Sequence, residues 1–111
     1  MTKLCVFAGT TEGRKLLELL SGQPLELWAC VATDYGESLL TPAETLHIHG
    51  GRMDQGEMEA LFRREGFACV IDATHPYAQA VTENIAVCFV RKSSIRTAWC
   101  WFPARKKPPL I

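Results

Sequence analysis

Two segments of the chain carry residues whose types and spacing could do chemistry. The first is Ala8-Gly9-Thr10-Thr11-Glu12-Gly13-Arg14. Gly9 allows a ligand close to the backbone, Thr10 and Thr11 carry hydroxyls, and a helix starting here presents unpaired N–H groups. Together these suit a phosphate. The spacing is not Gly-x-Gly-x-x-Gly, and a plain capped helix start accounts for the same residues. The second segment is Val70-Ile71-Asp72-Ala73-Thr74-His75-Pro76-Tyr77-Ala78. Its apolar run stops at Thr74 and His75, and Pro76 suits the first position of a helix. His75 could donate a hydrogen bond or move a proton near neutral pH. Capping the helix, or packing against Tyr77, is its competing role.

These segments need elements that bring them together. Residues 3–9 and 25–33 read as strands, the first a continuous apolar run closed by glycine, as expected for a strand buried on both faces. Residues 45–50 and 68–74 read as two further strands. Between them, Leu16, Leu17 and Leu20 form a helical stripe that Thr10 or Thr11 can cap and Gly22 can stop. Asp54 and Glu57 form a capping box ahead of a second helix with Met58, Leu61 and Phe62 on one face and Gly66 at its end. A third helix over 76–88 places Tyr77, Val81, Ile85 and Cys88 on one side. The order β-α-β-β-α-β-α predicts an α/β fold: a Rossmann-like parallel sheet with helices on both faces and right-handed crossovers.

In such sheets ligands bind beyond the carboxyl ends of the strands. Four loops fall there: Gly9 to Arg14, Thr33 to Gly36, Gly50 to Asp54, and Thr74 to Tyr77. The end of the second strand selects the cofactor, and NAD-binding sheets place an acid there for the ribose 2′-hydroxyl. This chain has Thr33 first, then Asp34 and Tyr35, and Arg14 and Arg52 could both reach the region. That pattern leans to a 2′-phosphate and hence NADPH, unless both arginines are merely solvated. His47, His49 and His75 raise the question of a metal. They supply no convincing ligand set, so the expectation is no metal and a half-exposed strand at 45–50. No Ser-His-Asp arrangement, P-loop or carboxylate pair stands out.

Composition narrows the function classes. A chain of 111 residues with 48% hydrophobic and 22% charged residues is one small globular domain or a piece of one. No apolar run approaches the ~20 residues that span a bilayer, and the N-terminus lacks the features of a signal peptide. The five cysteines form no CxxC pair. Cys5, Cys30 and Cys69 lie in apolar runs and read as small buried hydrophobes, consistent with a reducing, cytoplasmic setting. The net charge of zero hides a split. Residues 1–83 hold all 12 acids and six of the 12 bases, a net −6, whereas 84–111 hold no acid and the other six bases, a net +6. That basic stretch has no regular basic face or motif for nucleic acid.

Taken together, Ala8–Arg14, Gly50–Asp54 and Asp72–Ala78 resemble the precorrin-6A reductases of cobalamin synthesis, including their cobalt-precorrin counterparts, in order and spacing; Ala32–Gly36 also resembles the family's segment after its second strand. The resemblance spans roughly residues 3–86. It implies NADPH-dependent reduction of a carbon–carbon double bond in the precorrin-6A macrocycle, with the tetrapyrrole between two domains. By that resemblance Gly9, Thr10, Thr11, Glu12 and Gly13 touch cofactor phosphates. Thr33, Tyr35 and Arg52 lie around the adenosine, and Thr74, His75 and Tyr77 face the nicotinamide or the macrocycle. His75 is the candidate proton donor in this half.

The sequence departs from the family after the third helix. Residues 1–88 read as the Rossmann-like cofactor half, and 89–111 as an atypical basic tail, disordered or with 94–102 as a fifth strand. The charge shift motivates the expectation of a truncated coding sequence, with a frame shift near Val87; the downstream DNA in another frame would then encode a second domain. Two alternatives stay open: another small NAD(P)-dependent oxidoreductase, and a non-catalytic nucleotide-binding remnant.

Overall fold

The structure is a computed structural model that describes residues 1–41, 43–75, 78–91 and 98–101. The elements run β1 (Thr2–Phe7), α1 (Thr11–Leu20), β2 (Leu25–Val31), α2 (Asp34–Ser38), β3 (Leu46–Gly50), α3 (Gln55–Glu65), β4 (Cys69–Asp72), α4 (Gln79–Arg91) and β5 (Ala98–Trp101). The five strands form one sheet in the order β3-β2-β1-β4-β5, and every adjacent pair is parallel. The chain therefore builds outward from β1 to β3, returns, and builds the other way from β4. Its crossover connections change direction between β1 and β4, where such a sheet leaves a crevice.

The predicted α/β architecture is the observed one. β5 fills the fifth place in the sheet, within the stretch read from sequence as an atypical tail. The predicted start of the third helix at Pro76 lies outside the described residues. One element escaped the sequence reading: α2 is five residues long, too short for a helical stripe to appear. Thr33 caps it, its hydroxyl accepting from the Gly36 N–H at 3.0 Å.

Strand alternation divides the core between the two faces. Cys5 and Phe7 of β1, Cys30 of β2 and Val70 of β4 join Met58, Leu61 and Phe62 of α3 and Ile85 and Cys88 of α4. Val6 and Ala8, Leu27, Ala29 and Val31, and Ala73 face the other way, onto Leu17 of α1. The ring of Phe62 meets Phe7 and Phe67 edge-on, at centroid separations of 6.1 and 6.2 Å. Burying one such side chain contributes about 1.5–3 kcal/mol. Local signals bound α3 as predicted. Asp54 and Glu57 complete their capping box, and Gly66 closes α3 in the left-handed conformation at φ 63°. Ser21 rather than Gly22 occupies the C-cap of α1.

The cysteines correct one expectation. Cys5, Cys30 and Cys88 are buried, but Cys69 is only half-buried. The Cys5 and Cys30 sulfurs lie 3.8 Å apart. Burial, and then the neighbouring Cys30 sulfur, push the Cys5 thiol well above its ordinary range. Unfolded thiols ionise at about 8.5, so the stability of the neutral buried thiol is present below that pH and lost as pH rises above it. Among these four cysteines, Cys69 is expected to be alkylated by iodoacetamide first, and Cys5 only as the chain unfolds. Peptide mass spectrometry showing Cys5 labelled as fast as Cys69 would contradict this burial.

Candidate functional site

A cleft of about 910 Å³ opens at the carboxyl ends of β1, β2 and β4. Its walls bring together the two segments singled out above, although they lie some sixty residues apart in sequence: Gly9, Thr10, Thr11, Glu12 and Arg14 from one, Thr74 and His75 from the other. Thr33 and Tyr35 close the β2 side. These nine residues all lie at the carboxyl edge of the sheet.

Two expected residues are not on the wall. Gly13 is buried and does not line the cleft. A Cβ there would lie 3.2 Å from the Ala8 Cα, 3.3 Å from its Cβ and 3.4 Å from the Ala73 Cβ. Gly13 thus lets α1 lie against the ends of β1 and β4, and its N–H is already given to the Thr10 hydroxyl. Arg52 is exposed on the loop after β3 and likewise stands outside the lining. Arg14, half-buried in α1, is the arginine that the fold brings to the cleft. Tyr77 lies outside the described residues.

Each wall has a local cause. Gly9 takes φ 153°, a region side-chain-bearing residues rarely adopt, and a Cβ built there meets nothing within 4 Å. The space beside Gly9 is open to a ligand. Thr10 is the N-cap of α1; its hydroxyl accepts from Gly13 N–H at 3.1 Å and donates to the Ala73 carbonyl at 2.9 Å. It therefore ties the β1 lip to the β4 lip. Thr11 and Glu12 head the helix, whose N-terminal N–H groups carry partial positive charge toward the cleft. At the β2 lip, Tyr35 is 74% exposed beside the cleft and offers an aromatic face.

The β4 lip rests on a group that sequence reasoning passed over. Asp72 is 0% exposed. Its Oδ1 accepts from the Thr74 N–H at 3.1 Å and from the Thr74 hydroxyl at 2.6 Å. Its Oδ2 accepts from the Thr82 hydroxyl of α4 at 2.7 Å. The short Asp72-to-Thr74 spacing signals such a turn, because Asp side chains bond the backbone two residues on. Nothing in the sequence signals Thr82. Val81 and Ala78 also line the cleft, and only the helical stripe hinted at Val81.

His47 of β3 has other work. His47 Nε2 lies 2.8 Å from Glu26 Oε1, and its ring stacks on Trp28 at 4.8 Å. Among the described residues, no three His, Cys, Asp or Glu side chains are grouped so as to hold a metal ion. No helix among those residues is long and apolar enough to cross a membrane.

The chain is similar to a set of characterised proteins. The family described as "Precorrin-6x reductase CbiJ/CobK" matches residues 3–97. The precorrin-6A reductase of Rhodobacter capsulatus is 38% identical over 89 residues, covering 79% of this chain and 35% of that protein. The cobalt-precorrin-6A reductase of Methanothermobacter thermautotrophicus is 34% identical over 80 residues, covering 71% of this chain and 26% of that protein. Among solved structures, a CobK precorrin-6A reductase superimposes with a TM-score of 0.74 at 31% identity, covering 92% of this chain and 39% of that one. The chain thus spans roughly a quarter to two-fifths of the length of these relatives.

Proposed function

Because the chain belongs to the precorrin-6x reductase family, we propose that it is the cofactor-binding part of an NADPH-dependent reductase. Its substrate is precorrin-6A or cobalt-precorrin-6A, and the reaction saturates one carbon–carbon double bond of the macrocycle, a step of cobalamin synthesis. One observation carries the reading: Gly9–Arg14 and Thr74–His75 meet in a single cleft at the direction change of a parallel sheet.

The residues of the cleft fit a nicotinamide dinucleotide. The open space beside Gly9 and the N-terminus of α1 suit the pyrophosphate, with the Thr11 hydroxyl as a further donor. Arg14 supplies a fixed positive charge on the same wall, suited to a phosphate oxygen. Glu12, a carboxylate, suits ribose hydroxyls and not phosphate. Thr33 and the exposed ring of Tyr35 fit the adenosine end, with Arg52 in reserve on the neighbouring loop. Reduced nicotinamide, when bound, supplies the hydride. Thr74 and His75, on the cleft wall, would then hold the reacting end, where His75 would hold the macrocycle or deliver the balancing proton. Tyr77 joins them by the family resemblance. The tetrapyrrole is the partner we assign; neither nucleic acid nor membrane enters this reading.

Titration of the 111-residue chain with NADPH and, separately, NADH tests the reading through nicotinamide fluorescence. NADPH is expected to bind, and more tightly than NADH. Arg14→Ala should weaken NADPH by about 10- to 100-fold, the worth of charge-assisted hydrogen bonds of ~1.5–3 kcal/mol. If Arg14 holds the 2′-phosphate, NADH binding is unchanged; if it holds the pyrophosphate, both weaken equally. An intact chain that ignores both nucleotides ends the proposal. Reduction of precorrin-6A by the chain, alone and with the remaining part of a relative supplied, separates this activity from that of another small oxidoreductase.

A further inference from the structure

The carboxylate of Asp72 sits where the sheet's packing does not ask for one. In register, Phe7 of β1 pairs with Asp72 of β4 and with Cys30 of β2. Phe7 and Cys30 are apolar members of the core on the α3–α4 face. At that level and beside that core the chain places an acid with no solvent exposure. Burying a carboxylate is costly unless its oxygens are satisfied, and here they accept hydrogen bonds from the Thr74 N–H, the Thr74 hydroxyl and the Thr82 hydroxyl. Thr74 stands on the cleft wall and Thr82 on α4. Neither Asp72 nor Thr82 lines the cleft. Between Asp72 and Thr74, the Ala73 carbonyl is held by Thr10 from the opposite lip.

We propose that Asp72 and Thr82 are positioning residues that fix the turn carrying Thr74 and His75 over the cleft. The carboxylate suits this task because its two oxygens accept along different directions. One grips the turn and the other grips a helix, so the turn cannot shift without breaking a buried bond. This proposal rests on the cofactor reading for its functional consequence, but its geometric content stands without a cofactor.

The experiment compares Thr82→Val and Thr82→Ser with the parent 111-residue chain. Valine keeps the volume and removes the hydroxyl; serine restores it. Three readouts are taken: circular dichroism for folding, the imidazole proton resonances of His75 (assigned with His75→Gln), and the NADPH dissociation constant. In T82V the His75 resonances are expected to move or broaden, and the NADPH dissociation constant to rise about tenfold, the effect of losing one hydrogen bond to a charged group. T82S should return both toward the parent values. A folded T82V with His75 unmoved and NADPH affinity unchanged overturns the proposal and leaves the network purely structural. If T82V does not fold, D72N replaces it, since the amide keeps the shape with one acceptor oxygen; unmoved His75 resonances there overturn the proposal equally. A parent chain that does not bind NADPH defeats the cofactor reading, and the His75 resonances, which need no cofactor, still decide the positioning role.

Discussion

Gly13→Val is expected to lower stability by about 3 kcal/mol and to abolish nucleotide binding together with it. The hydrogen that would become a side chain points at the Ala8 backbone and at Ala73, with all three nearest atoms between 3.2 and 3.4 Å. All three belong to Ala8 and Ala73, the buried residues that follow β1 and β4, and none is the tip of a flexible side chain, so α1 must move instead. Overpacking of this kind costs about 1–3 kcal/mol, and a β-branched residue in a helix adds a few tenths. For a domain of this size, a loss of 3 kcal/mol lowers the melting temperature by roughly 10–20 °C. Moving α1 also breaks the Thr10 bridge to the Ala73 carbonyl, which joins the two lips of the cleft. Gly13→Ala is the informative control. Alanine gains about 1 kcal/mol of helix propensity and meets the same atoms with a single methyl, so the two terms nearly cancel. Thermal melts followed by circular dichroism check both. A valine variant melting within a few degrees of the parent would show that the helix start has room to yield.

Asp72→Ala is expected to cost about 3 kcal/mol or more. The substitution removes an acceptor from the Thr74 N–H, the Thr74 hydroxyl and the Thr82 hydroxyl. Thr74 and Thr82 are themselves only 7% and 3% exposed, so water cannot readily replace the lost oxygens. Each buried donor left unpaired costs about 1–3 kcal/mol, although the Thr82 hydroxyl can turn to the Ala78 carbonyl at 3.4 Å. Urea unfolding should show the midpoint falling by about 1–2 M with an unchanged slope. An unchanged midpoint would mean that the carboxylate contributes no more than the methyl that replaces it. A domain of this length has only about 5–15 kcal/mol in total, so either substitution removes a large share.

Much of this molecule is legible in its residues, for a local reason. Strands buried on both faces read as apolar runs, and helices show a stripe every third or fourth residue. Their caps are side chains bonding N–H groups two or three positions away. Thr10, Asp54, Glu57 and Gly66 all act within one turn of their own positions, so a reader of the sequence sees cause and effect together. The alternation of strands and helices then implies a parallel sheet, and a parallel sheet implies a binding edge. At that edge Gly9, Thr10, Thr11, Glu12, Arg14, Thr33, Tyr35, Thr74 and His75 line one cleft.

Tertiary packing decided what remained, because it depends on which distant residues become neighbours. The five-residue α2 leaves no periodic trace, and its hydrogen bonds alone define it. Gly13 looks like one more flexible residue of a phosphate turn until Ala8 and Ala73 are seen against it. Arg14 and Arg52 are equivalent in a string of letters, but the α1 crossover carries the first into the cleft and the loop after β3 leaves the second outside. Asp72 reads as an acid at a strand end; only register with Phe7 and the arrival of Thr82 from α4 make it a buried, fully engaged carboxylate. Short-range hydrogen bonding and periodicity write themselves into the order of residues. Burial and long-range partnership arise only when the β1 and β4 halves of the sheet close on one another.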